Sequence, residues 1–406
     1  MRRRVAVTGL GIVCALGRDV EETRASLFAG RSAIAPIARV DPLLLKCRCG
    51  AEAAAFDPAR HFDPKEALLL DRFAQLALAA ATEAVAQSGL AFGSALAART
   101  AIVTGTSAAG QTTVDEASAE LYRNNAPRLN PLTIPRTMSN APASHLSMKY
   151  GITGPAWAVS TACSSSNHAI GQAFWMVRHG LAECAIAGGS EAPFNLGLLK
   201  AWEAMRVVAP DTCRPFSLER KGLILGEGAG FLVLEPLEAA QARGARIHGE
   251  IAGFGMSADA HHITMPSPEG AAAAMRAALE DAGLAAEQCG YINAHGTGTP
   301  ANDPTETRAI RAVFGGHAGR LAVSSTKSMH GHALGAAGAL EAVATVLALR
   351  DGVLPPTANY LTPDPACDLD VIPNVPRAAR AEAALSNSFA FGGLNAVLVF
   401  RAPDAA

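Results

Sequence analysis

Charge is scarce in this 406-residue chain: 17% of residues are charged, aromatics make up 5%, and 34 basic side chains face 36 acidic ones. Nucleic-acid binders carry a basic excess, so the balance argues against that class. Half the residues are hydrophobic, the opposite of a disordered composition. At about 150 residues per domain, the length suits two or three domains or one large two-halved fold. No uncharged apolar run reaches about 18 residues, which excludes a membrane-spanning helix. The start, Arg2-Arg3-Arg4 and then Val5 to Gly17, imitates a signal peptide. Thr8, Gly9 and Gly11 interrupt its apolar run, however, and Asp19, Glu21 and Glu22 follow at once. We read Val5-Ala6-Val7 as a buried strand entering a glycine turn. The eight cysteines lack the regular spacing of a disulfide framework. Cys47 and Cys49 have no second pair to complete a zinc site. These features imply a soluble α/β protein of a reducing compartment, expected in the cytoplasm.

What is present is alternation. Asp19 caps a helix that reaches Phe28. A longer helix spans Asp71–Ser88 with Gly89 as its stop. Residues 100–104 read as a strand running into Gly105-Thr106. Residues 111–150, rich in proline, read as an irregular excursion. An order then repeats. Helix, Gly89-Leu90, strand and Gly105-Thr106 precede the strand around Val159 and a small-residue helix. Helix, Gly283-Leu284, strand and Gly296-Thr297 precede the strand around Val323 and another such helix. Two similar halves follow from this, meeting near Gln241 to Ile247, with largely parallel sheets covered by helices.

Cys163 lies in Thr161-Ala162-Cys163-Ser164-Ser165, between a strand and a helix running to about Arg178. A helix N-terminus favours thiolate and lowers a cysteine pKa, and its free N–H groups can hold an oxyanion. The alternative is a small buried hydrophobe. His295 ends a strand and opens His295-Gly296-Thr297-Gly298-Thr299-Pro300, where open α/β sheets place their sites; a hydrogen-bonded turn histidine is the alternative. Asp303 and Glu306 begin a helix, where capping and dipole stabilisation are their default roles. Lysine is rare, with six in the chain, so Lys327 in the uncharged run Ser324 to Gly338 is notable. Buried there, Lys327 and His332 need partners. His330 and His332 as metal ligands lack a nearby carboxylate. Asn387 to Gly393 forms an aromatic–glycine loop. Gly9-x-Gly11 imitates a dinucleotide fingerprint whose third glycine is replaced by Cys14. His261-His262 reads as loop.

Together these segments resemble the elongating β-ketoacyl-acyl-carrier-protein synthases of types I and II over essentially the whole chain. Thr161 to Ser165 is similar to the family's nucleophile motif, and His295 to Pro300 to its first histidine motif. Lys327 and His332 are similar to its lysine and second histidine, and Asn387 to Gly393 to its gating loop. Ala390 and Leu394 depart from the glycine and threonine common there. The resemblance implies an α/β thiolase-like fold of two similar halves in five α-β-α-β-α layers. It places the nucleophile in 1–245 and the histidines and lysine in 246–406. It further implies catalytic Cys163, His295, His332 and Lys327, with the backbone N–H groups of Cys163 and Phe391 as the oxyanion hole. The histidines must be neutral donors for the malonyl carbonyl, and Lys327 sets their electrostatics. No cofactor or metal is implied.

The implied partners are an acyl carrier protein and a second copy of the chain, with no nucleic acid and no membrane. Carrier proteins are acidic, so a local basic patch is expected, with Lys65, Arg206, Arg123 and Arg128 as its members. The loop Thr104–Gly110 is expected to approach the thiol, with Ala108 bordering the acyl pocket. The reaction implied is decarboxylative condensation in fatty-acid synthesis. A dedicated synthase of a polyketide, polyene or lipid-signal pathway is the alternative within the class. A Cys–His thioester hydrolase and a non-catalytic partner subunit are the alternatives outside it.

Overall fold

The structure, a computed structural model, describes residues 2–403. Ten strands carry it. They are β1 (Val5–Cys14), β2 (Thr100–Gly105), β3 (Ala156–Val159), β4 (Cys184–Glu191) and β5 (Gly228–Pro236), then β6 (Gly249–Ala258), β7 (Cys289–Asn293), β8 (Ala322–Ser324), β9 (Ala383–Phe389) and β10 (Leu394–Arg401). Their spatial order is β3-β2-β4-β5-β1 followed by β6-β10-β9-β7-β8. Adding five to each label of the first half gives the second half in mirror order. Orientation repeats too. β1–β5 and β5–β4 are antiparallel while β4–β2 and β2–β3 are parallel, and the same holds for β6–β10, β10–β9, β9–β7 and β7–β8. The halves join through the antiparallel pair β1–β6, where Ala6 faces Glu250.

Six helices matter for the layers and the site: α1 (Arg72–Ser88), α2 (Ser165–Arg178), α3 (Leu196–Ala204), α4 (Pro268–Ala282), α5 (Asn302–Phe314) and α6 (Ala337–Asp351). α1 covers β1, β5 and β4 from outside, while α4 covers β6, β10 and β9 with α5 beside it. α2 and α6 touch each other and strands of both halves. They are therefore the central layer of an α-β-α-β-α stack. α6 explains its own position: every residue from Ala337 to Leu349 is buried. Both outer helices stop at a glycine with φ near +65°, Gly89 and Gly283, a conformation that costs a Cβ-free residue nothing.

The expected glycine turn after Val7 is absent, because β1 continues through Gly9 and Gly11 with only a shift of register at Thr8. A Cβ there would run into the carbonyl oxygens of Ala84 and Ala80 on α1. Gly253 and Gly255 of β6 meet Ala278 and Ala274 of α4 in the same way. The Gly-x-Gly pairs let a helix lie directly on a strand, once in each half. The 111–150 excursion is more regular than expected, with helices at Gln111–Tyr122, Thr133–Thr137 and Ala141–Tyr150. Among the described residues, no helix is long and apolar enough to cross a membrane.

Candidate active site

Cys163 lies just before α2, buried at the end of the turn that leaves β3. Ala162 before it has a φ of +50°, a left-handed conformation unusual for a residue with a Cβ. The helix start does not leave the thiol acidic, contrary to the expectation above. Burial is the largest influence and pushes it up to about 11. The Lys327 charge and the N–H groups of Phe391 and Cys163 itself pull it down, and Glu191 pushes it up. Desolvation of a fully enclosed sulfur outweighs these N–H groups. They nevertheless both act on the sulfur to which an acyl group would attach.

His295 follows β7. Its turn is held by the carboxylates expected to serve as helix caps. Glu306 accepts the N–H of His295 at 2.9 Å and of Gly296 at 2.8 Å, while Asp303 accepts the N–H of Phe216 at 2.8 Å and of Gly298 at 3.2 Å. Both point inward from the first turns of α5, and burial raises both carboxyls, Asp303 to about 6. Asn387 donates to Glu306 at 3.1 Å, tying the aromatic–glycine loop to the same anchor.

Lys327 is fully buried and ion-paired with Glu341 of α6. Its Nζ lies 3.3 Å from Nδ1 of His295. An ammonium only donates, so Nδ1 accepts and the proton of neutral His295 sits on Nε2. His332 reaches the same state differently, its Nδ1 accepting the N–H of Leu334 at 3.1 Å. Burial first, then the Lys327 charge, holds both imidazoles well below their usual range. The rings stand edge to face with centroids 5.5 Å apart. The result is two neutral Nε2–H donors. His330 uses both ring nitrogens internally, near Thr326 Oγ1 at 3.0 Å and the Gly331 carbonyl at 2.9 Å.

Cys163, His295, His332 and the segment Phe389 to Phe391 line one cavity of about 370 Å³. Its lining adds Trp202 and Lys221, which no motif singled out, and His262 of the segment expected to be loop, beside Thr297 and Thr299 of the first histidine motif. Phe391 stacks on Trp202 at 6.0 Å between ring centres, and Gly392 donates to the Ile263 carbonyl at 2.7 Å. Of the four residues expected in a basic patch, Arg206 lines this cavity. Lys65 is exposed on the short helix Pro64–Leu68. Arg123 and Arg128 are exposed in the excursion. Glu341 stands in no motif; its signal in the sequence is a single acid within the buried apolar run from Ala337 to Leu349. Neither histidine presents a free nitrogen lone pair beside Nε2–H. A Cys–His hydrolase needs such a base on its cysteine, and the arrangement instead offers two donors to a developing negative charge.

The family model for the beta-ketoacyl synthase N-terminal domain matches residues 2–240, and that for its C-terminal domain matches residues 248–361. Nodulation protein E of Rhizobium sp. (strain N33) is 51% identical over 99% of this chain and 100% of that protein. The 3-oxoacyl-[acyl-carrier-protein] synthase 2 of Coxiella burnetii is 44% identical over 98% of each. Among solved structures, the ishigamide ketosynthase/chain length factor superposes with a TM-score of 0.93 at 38% identity, covering 99% of both chains. The fold is thiolase-like, as expected from the sequence.

Proposed function

The chain belongs to the β-ketoacyl synthase family, and from that premise we propose how its residues divide the condensation between them. The thiol of Cys163 attacks an acyl thioester on a carrier protein. The oxyanion forms against the N–H groups of Cys163 and Phe391, and the thiol's proton ends on the departing carrier thiol. A malonyl thioester then places its carbonyl oxygen between the Nε2–H groups of His295 and His332. The bond to the carboxylate breaks, CO₂ leaves, and its electron pair becomes an enolate held by those donors. The enolate carbon attacks the acyl–Cys163 carbonyl, and the carbon–sulfur bond breaks. The chain is two carbons longer, and the Cys163 thiolate that leaves takes a proton from water to become the thiol again. Lys327 acts through His295, keeping its Nδ1 an acceptor.

The observation that carries this reading is the matched protonation of the two histidines, each with Nδ1 occupied from behind. The test uses three variants of the full chain. Cys163→Ala should keep malonyl decarboxylation and lose acyl transfer, whereas His295→Ala and His332→Ala should lose decarboxylation. Free fatty acid from an acyl carrier protein, without need of malonyl substrate, would contradict it.

Three further assignments belong to this proposal. The carrier protein docks at the cavity mouth, where Arg206 and Lys221 offer positive charge. Two copies pair through β3. Its Ala156 is exposed at an open sheet edge, whereas β8 is buried and closed by the Val323 N–H donating to Asp370 at 2.8 Å. The enzyme works in the cytoplasm, with 1–245 and 246–406 as its two halves. As to pathway, the 51% identity to nodulation protein E, against 44% to the synthase 2 relative, favours a dedicated condensing enzyme.

A further inference from the structure

Glu191 ends β4 and is completely buried. Its surroundings are donors. Oε1 accepts the Thr106 hydroxyl at 2.9 Å and the Ala108 N–H at 3.1 Å. Oε2 accepts the Ser107 N–H at 2.7 Å, the Ser107 hydroxyl at 2.6 Å and the Gly335 N–H at 3.0 Å. One carboxylate therefore joins two segments that are distant in sequence, the loop after β2 and the turn after His332.

The turn is strained. Leu334 has a φ of +48°, a left-handed conformation that a residue with a Cβ keeps only when its surroundings hold it. From that conformation Leu334 donates to Nδ1 of His332. The next residue is gripped at both ends: the Gly335 N–H by Glu191, and the Gly335 carbonyl by the Ser166 hydroxyl at the start of the nucleophile helix. A Cβ on Gly335 would collide with Ser107 and Glu191, so the joint has no slack.

We propose that Glu191 is a positioning residue that binds the Ala108 loop and the Leu334–Gly335 turn into one joint. Acyl-chain selection at the loop and the orientation of His332 then depend on the same buried carboxylate. The inference rests on the roles given above to Cys163 and His332 and on the expectation that the Ala108 loop borders the acyl chain, a loop that does not itself line the cavity at Cys163. Glu191→Gln separates the two arms. An amide has one acceptor oxygen, and facing it to Oε2's donors keeps the Ser107 and Gly335 contacts. The Thr106 hydroxyl can turn to accept, and the Ala108 N–H is left facing an NH₂ group.

The experiment measures acyl loading of Cys163 from paired short and long acyl carrier proteins, beside CO₂ release from malonyl carrier protein. Glu191→Gln should shift the long-to-short ratio about 3- to 10-fold, the effect of one buried hydrogen bond. Glu191→Ala should in addition lower kcat for CO₂ release by more than about tenfold, with KM for the malonyl carrier little changed. Should neither variant fold, Ser107→Ala removes a hydroxyl contact of the loop arm, and Ser166→Ala removes the hydroxyl that holds the Gly335 carbonyl in the turn. The first should move the chain-length ratio and the second should slow CO₂ release. An equal loss at all chain lengths with CO₂ release intact, or no change in either readout, overturns the proposal. Cys163→Ala and His332→Ala run alongside, and if they retain acyl transfer and decarboxylation respectively, the site roles themselves fail.

Discussion

The backbone N–H of Leu334 donates to Nδ1 of His332 at 3.1 Å, and this contact decides which ring nitrogen faces the substrate. Lys327 does the same for His295. A main-chain amide and a buried ammonium thus produce one outcome, two imidazoles that can donate while uncharged.

That outcome sets a pH dependence. A base whose pKa is lowered stays neutral as pH falls through its ordinary range, and both histidines are held well below 6.5. Malonyl decarboxylation by Cys163→Ala protein should therefore stay flat between about pH 8 and pH 6. A fall centred near 6.5 in the rate–pH profile would show an unperturbed histidine.

Lys327→Met removes the positive charge that depresses both imidazoles. Their pKa values should rise, and the acid limb of decarboxylation should move to higher pH. Alkylation of Cys163 should also become slower at a given pH, because the same charge pulls the thiol pKa down. Unchanged profiles in both measurements would leave Lys327 a packing residue.

Ala108→Phe should exclude long acyl groups. Forcing extra methylenes into a filled site costs about 1–3 kcal/mol, roughly 5- to 150-fold in relative rate. Competition between short and long acyl carrier proteins reads this directly, and a uniform loss over all lengths would place the pocket elsewhere.

Arg206→Glu and Lys221→Glu should each raise KM for carrier-bound substrate and weaken its salt dependence, leaving kcat within about threefold. Steady-state kinetics across ionic strength checks this, and an unchanged KM in both removes the mouth as the docking point.

Much of this was legible in the sequence because it is local. The alternation, the Gly89 and Gly283 stops and the repeated glycine–threonine turns need only neighbours along the chain, and they carry the two-halved fold. Cys163, His295 and His332 stand in short motifs and meet in one cavity, with Lys327 buried behind His295. What escaped notice depends on tertiary packing. Lys327 meets Glu341 only because α6 runs back through the central layer. Gly9 and Gly11 look like a turn, since glycine more often marks a turn than a seat for a helix. The direction of the Cys163 shift depends on how completely the sulfur is enclosed, which a helix-start motif does not reveal. The 111–150 excursion reads as irregular from its prolines, yet it is largely helical.

The most direct measurement is intact-protein mass spectrometry after incubation with acyl carrier protein, followed by malonyl carrier protein and peptide mapping. The acyl mass should appear on the peptide holding Cys163. It should then vanish on malonyl addition, as a β-ketoacyl group two carbons longer appears on the carrier. Acyl mass on another of the eight cysteines, or its release as free acid before malonyl is added, would contradict Cys163 as the nucleophile of a condensing enzyme.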